Sequence, residues 1–146
     1  MSRQFLDTNV LLYAYDPAAG QRHVRAQELV LDLARRHQAA ISLQVMQEFY
    51  VNATAKIARP LTVEQAIERL AAFSRWYVYS PLPGDVAEAA RLSGRYQLSF
   101  WDAMIVLGAS RLTCDVLWTE DLNPGQTIEG VTVQNPFQAA WSDGPS

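Results

Sequence analysis

The chain has 146 residues, 49% hydrophobic and 18% charged, a balance that excludes global disorder and suits one domain with a sizeable core. A formal charge of −3 argues against a strongly basic nucleic-acid binder, and one cysteine excludes an internal disulfide. No apolar run reaches the ~20 residues of a membrane span, and the N-terminus lacks a secretory pattern, so a cytosolic protein with no membrane contact is expected.

Phe5 and Leu6 read as the end of a short buried strand, bounded at once by Asp7-Thr8-Asn9, after which Val10, Leu11, Leu12, Ala14 and Tyr15 continue as a helix. Asp7 therefore stands where a strand hands over to a helix, and in an open α/β sheet the carboxyl ends of strands are where ligands bind. Asp, Thr and Asn are also good helix N-caps, so capping alone is an ordinary role for any of the three. Asp16-Pro17 breaks the pattern. Gln21 to Gln38 reads as an amphipathic helix with Val24, Leu29, Val30, Leu33 and Ala34 on its apolar side. Ala39 to Ile41 is a strand candidate ending at Ser42, a cap for the next helix, Leu43 to Ile57. There Val45, Met46, Phe49, Tyr50 and Ala53 share one face, while Glu48 shares another with Gln44 and Asn52.

Leu61 to Trp76 reads as a helix with a capping start at Thr62 to Gln65 and an apolar face of Val63, Ala66, Ile67, Leu70, Ala71 and Phe73. Tyr77 to Tyr79 is a strand candidate before the breaker Ser80-Pro-Leu-Pro83-Gly84. Asp85 to Gln97 carries Val86, Ala89, Ala90 and Leu92 in helical register, and Leu98 to Ala109 is an apolar helix that crosses the core. Ser99 and Asp102 at its start have capping-box spacing. Asp115 to Thr119 is another buried strand, ended by Glu120-Asp121 and the turn formers Asn123-Pro124-Gly125. Val131 to Val133 is a last strand. Strands alternating with helices imply a three-layer α/β/α sandwich with a short, mostly parallel central sheet. One domain is expected over residues 1–137, with a polar tail over 138–146.

Asp7 and Asp121 thus follow strands, Asp102 opens a helix and Glu48 projects from another. In a three-layer fold all four can meet at the carboxyl edge of the sheet. Four carboxylates together repel, so such a cluster needs cations or bound protons. With His23 and His37 far apart and Cys114 read as a core residue, the ligands are all oxygen, which selects Mg²⁺ or Mn²⁺ over zinc. Mg²⁺ readily shares a phosphate oxygen, so hydrolysis of a phosphodiester follows. Setting four of the fifteen acids aside leaves eleven against twelve bases, eleven of them arginine, a balance that permits a local basic rim.

The ordered set Asp7-Thr8-Asn9, the Glu48 helix, Phe100-Trp101-Asp102-Ala103 and Trp118-Thr119-Glu120-Asp121-Leu122 with Pro124-Gly125-Gln126 resembles the PIN-domain nucleases, in particular the VapC-type toxins of bacterial toxin–antitoxin pairs. The resemblance runs from Phe5 to Phe137. It implies that Asp7, Glu48, Asp102 and Asp121 form the acidic quartet, with Thr8 and Asn9 beside the first acid and Thr119 supporting the site. It further implies a Mg²⁺- or Mn²⁺-dependent endoribonuclease, a small antitoxin partner and a homodimer. Arg22, Arg25, Arg59 and Arg95 are candidates to contact RNA, and Tyr13, Tyr15, Phe49, Tyr50 and Trp101 to stack on bases. Two other readings remain open. One is a phosphatase with an aspartyl nucleophile, which wants a second Asp where Asn9 stands and a site lysine where only Lys56 exists. The other is a non-enzymatic RNA-binding or structural domain whose acids are caps and turn residues.

Overall fold

The structure, a computed structural model, describes residues 2–138; of the expected tail, residues 139–146 lie outside them. Six strands form one sheet in the order β3-β2-β1-β4-β6-β5: β1 Gln4–Leu6, β2 Ala39–Ser42, β3 Tyr77–Tyr79, β4 Val116–Trp118, β5 Thr127–Ile128 and β6 Val131–Gln134. Every pairing is parallel except β5 with β6. The helices are α1 Thr8–Tyr13, α2 Gln21–Arg35, α3 Leu43–Ala53, α4 Val63–Phe73, α5 Pro83–Tyr96 and α6 Phe100–Arg111. The α/β sandwich with a mostly parallel sheet is therefore as expected. From β1 the chain moves outward to β2 and β3, then returns to the opposite side of β1 as β4. The β1/β4 boundary is the topological switch point, where a crevice opens at the carboxyl ends of the strands.

The core explains the layers. Phe5, Leu6, Ile41 and Leu117 are fully buried in the sheet, as strands covered on both faces require. Helix α6 is buried along its whole middle, from Ala103 to Ala109, because it is caught between the sheet and α5. A second small cluster forms there, with Tyr79, Ala89, Leu92, Met104 and Leu107. Gly108 makes that contact possible, since a Cβ at this position would lie 2.8 Å from Cδ2 of Tyr79. The Tyr79 hydroxyl donates to Asp85 Oδ2 at 2.7 Å, so the ring is held in place. Gly108→Ala is accordingly expected to lose about 1–2 kcal/mol in urea unfolding, the clash outweighing the helix propensity gained.

Several expected boundaries and faces are corrected. α1 ends at Tyr13, α2 at Arg35 and α3 at Ala53, each short of the periodic pattern. Helix α4 begins at Val63 with the expected Thr62–Gln65 capping box. Val24, Val63, Ile67 and Val86, assigned to apolar faces by spacing, are about half exposed because, among the described residues, no neighbouring element covers those sides of their helices; Ala71 and Ala90 are exposed too. Pro83 and Gly84 open α5 rather than breaking the chain, Pro83 supplying the fixed φ suited to a first helical turn. Strand β5 escaped the pattern altogether. It has two residues and exists only as the antiparallel partner of β6 across Glu129 and Gly130, both at positive φ. Among the described residues, no helix is long and apolar enough to cross a membrane, and Cys114 is a buried core residue as expected.

Candidate active site

The register of the central strands builds the site. Leu6 pairs with Trp118, so the next residues along β1 and β4, Asp7 and Thr119, stand side by side at the carboxyl edge. The Asp7 N–H donates to the Trp118 carbonyl at 3.0 Å, continuing the ladder by one bond. Asp7 is 8% exposed and Thr119 fully buried. The Thr119 hydroxyl donates to Asp7 Oδ2 at 2.7 Å, and the Thr8 N–H donates to Oδ1 at 2.7 Å. Asp7 is thus the N-cap of α1, as its residue type allows, while each of its oxygens keeps lone-pair capacity.

The same threonine hydroxyl accepts from the Asp121 N–H at 3.1 Å, which pins the start of the turn after β4. The Asp121 side chain meets Asn9 Nδ2 at 3.5 Å, the outer limit of a hydrogen bond. Across the cleft, Thr8 Oγ1 donates to Glu48 Oε1 at 2.9 Å, tying α1 to α3. Glu48 is exposed beside buried Phe49 on α3; Gln44 Nε2 donates to its Oε1 at 3.4 Å and Asn52 Nδ2 to its backbone carbonyl at 2.8 Å, from one turn either way as the spacing implies. Asp102 sits in the first turn of α6, its N–H donating to the Ser99 N-cap hydroxyl at 3.0 Å.

Burial and charge both act on the strand-end acids. Burial raises the Asp7 carboxyl from its ordinary 3.8 to about 6 against the two hydrogen bonds that lower it, and the charges of Asp121 and Asp102 push it further up. Burial likewise raises Asp121, helped by Asp102, Glu120 and Glu48. Charges carried on several separate elements therefore act on Asp7 and Asp121 at the switch point. Among the described residues, no three acidic, histidine or cysteine side chains are grouped tightly enough to hold an ion as they stand. Closing on a cation requires the outer carboxylates to draw in toward Asp7. The donor set fits a hard divalent ion: oxygen only, with mutual repulsion that such an ion relieves.

Other expectations divide. Phe49 is fully buried, and Tyr15 packs edge-on against it and Phe73, so neither is free to stack on a base. Tyr13 is packed against Phe137 and hydrogen-bonded to Glu120. Trp101, next to Asp102, is 64% exposed and supported by the ring of Phe100. Arg95 pairs with Glu129 and Arg22 with Glu120. Glu120 is held by Tyr13 and Arg22, and that network carried no signal in the sequence, because Glu120 lies about a hundred positions from both partners.

The fold and this cluster define an α/β protein with a carboxylate-rimmed site at its topological switch point. The PIN domain family model matches residues 5–127, and the chain belongs to that family. Among solved structures it is similar to a toxin–antitoxin complex from Klebsiella pneumoniae, with a TM-score of 0.67 and 26% identity over 94% of this chain and 99% of that one. VapBC2 from Rickettsia felis, bound to a DNA fragment from its promoter, shares the fold at a TM-score of 0.59 and 21% identity over 90% of this chain and 97% of that one. PAE2754 from Pyrobaculum aerophilum does so at 0.58 and 23%, over 90% and 89%. No curated protein matches the sequence.

Proposed function

We propose that the protein is the toxin of a toxin–antitoxin pair, a VapC-like nuclease that hydrolyses phosphodiester bonds in single-stranded RNA with Mg²⁺ or Mn²⁺. The observation that carries this reading is the buried Asp7 carboxylate at the switch point, held by Thr119 and Thr8, with Thr8 also bonded to Glu48 and the charges of Asp121 and Asp102 acting on Asp7. Family membership and the Klebsiella pneumoniae toxin–antitoxin complex support it. Asp7, Glu48 and Asp102 would hold the ion directly or through water. When bound, the ion lowers the pKa of a water and offsets the charge that builds on phosphorus. Asp121 would complete the shell or orient the attacking water, whose oxygen would bond to phosphorus as the bond to the leaving ribose oxygen breaks and that oxygen takes up a proton. Thr8 and Thr119 hold Glu48 and Asp7 in place, and Asn9 steadies Asp121.

Trp101 is the aromatic side chain best placed to stack on an unpaired base beside this cleft. Leu43 and Val51 are exposed in an apolar groove lined also by Met46, Tyr50 and Leu70, a surface suited to the association expected with an antitoxin and a second copy. The test is cleavage of a single-stranded RNA by the purified protein with Mn²⁺. Activity should vanish in EDTA and in Asp102→Asn. Trp101→Ala should raise KM roughly 5- to 150-fold with kcat little changed. Full activity in Asp102→Asn, or none in the unmodified protein freed of its partner, would defeat the reading.

A further inference from the structure

Glu120 and Asp121 are adjacent acids in one short turn, and either one is chemically able to face Asp7. The structure shows what separates them. Glu120 accepts from the Tyr13 hydroxyl at 2.8 Å and from Arg22 Nε at 3.1 Å. Tyr13 meets Phe137 edge-on at 5.3 Å between centroids, and the Arg22 guanidinium lies 5.3 Å from the Phe137 ring and 5.9 Å from that of Tyr13. Three other segments thus close around this carboxylate in the turn after β4: the last residue of α1, the start of α2 and the stretch after β6.

Helix α1 links this grip to the site. Asn9 and Tyr13 are four residues apart and so lie on one helical face. Asp121 meets Asn9 and Glu120 meets Tyr13, so the face reads the two acids in order. Its firm contacts are at the Glu120 end, since the Asn9 bond is long and the Asp121 side chain is otherwise exposed.

Resting on the metal-site reading above, we propose that Tyr13 and Arg22 are positioning residues: by gripping Glu120 they aim Asp121, and not its neighbour, into the acidic cleft. Phe137 braces both and so ties the chain's last described segment to the aim of the site. The pair Arg22–Glu120 is half exposed on the arginine side and adds little to global stability, so its loss loosens the turn without unfolding the domain.

The experiment is Mn²⁺ titration by calorimetry on the full-length protein, with melting temperature as the control. The double variant Tyr13→Phe, Arg22→Met should bind Mn²⁺ about 10- to 100-fold more weakly, the usual effect of removing groups that orient a ligand. Its melting temperature should stay close to that of the parent, and Arg22→Lys, which keeps a cation beside Glu120, should recover most of the affinity. Unchanged affinity in the double variant, with loss in Asp121→Asn, overturns the proposal and leaves the metal site standing. Loss in Glu120→Ala with no loss in the double variant also overturns it, since Glu120 would then be a ligand itself. A parent protein that takes up no Mn²⁺ overturns both.

Discussion

Replacing Asp7 with asparagine is expected to make the metal-free protein more stable at pH 7.5 while removing its response to Mn²⁺. Asp7 is buried, and its carboxyl is pushed up to about 6 from 3.8. Folding therefore favours the protonated form. This contribution is fully present below pH 4 and is lost as pH rises through 6. The gap corresponds to about 3 kcal/mol of destabilisation at neutral pH. Asparagine carries no charge and is itself a good N-cap, so it escapes that cost. Its amide group can serve only one of the two donors now satisfied by Asp7, from Thr8 and Thr119, which gives back about 1 kcal/mol. The net gain is about 2 kcal/mol, a rise in melting temperature of roughly 4–8 °C for a domain of this size.

Asp85 has the opposite sign: the Leu82 N–H and the Tyr79 hydroxyl hold its carboxyl low, so its contribution is lost toward acid. The informative quantity is therefore the difference between variant and parent. Below about pH 4 the charge contribution is gone, so the variant's advantage should vanish and turn into a deficit of about 1 kcal/mol. Mn²⁺ should raise the melting temperature of the parent by mass action and leave the variant unmoved. A variant less stable than the parent at pH 7.5, or one still stabilised by Mn²⁺, would show Asp7 to be a structural cap and no more.

The second large effect lies behind the site. Phe49 is fully buried on α3, with ring contacts to Phe73 at 5.0 Å and Tyr15 at 5.4 Å. Phe49→Ala should cost about 3–5 kcal/mol through lost burial and the cavity left. For a domain of this size that lowers the melting temperature by roughly 6–20 °C. Glu48, the preceding residue, faces the cleft and is exposed, so Glu48→Gln should leave stability within about 0.5 kcal/mol of the parent. Thermal unfolding of the two variants separates neighbouring positions that serve the core and the cleft. Equal losses in both would mean that Glu48 carries structural weight through Thr8.

The helices and most strands were legible because apolar residues recur at the right period, and Thr62 and Ser42 announced their helices by cap chemistry. Their ends were less so. α1 stops at Tyr13 although Ala14 and Tyr15 continue its pattern, because Tyr15 is recruited to the Phe49 and Phe73 rings. Val63 and Ile67 have helical spacing but no covering layer among the described residues, and β5 is too short to carry a period at all.

For the site, residue type and local position were enough to nominate Asp7 at a strand end, Glu48 off the apolar face of its helix, Asp102 in a first turn and Asp121 after a strand, and to select a hard divalent ion as their partner. Those are short-range properties, written within a few positions of each residue. The tertiary structure alone decided that Leu6 pairs with Trp118, setting Thr119 against Asp7, and that Tyr13 and Arg22 take Glu120 while Asp121 meets Asn9. These contacts join segments about a hundred residues apart, and the choice between two adjacent carboxylates depends on which partners the packed sheet and helices bring within 3 Å, a quantity with no local signature in the chain.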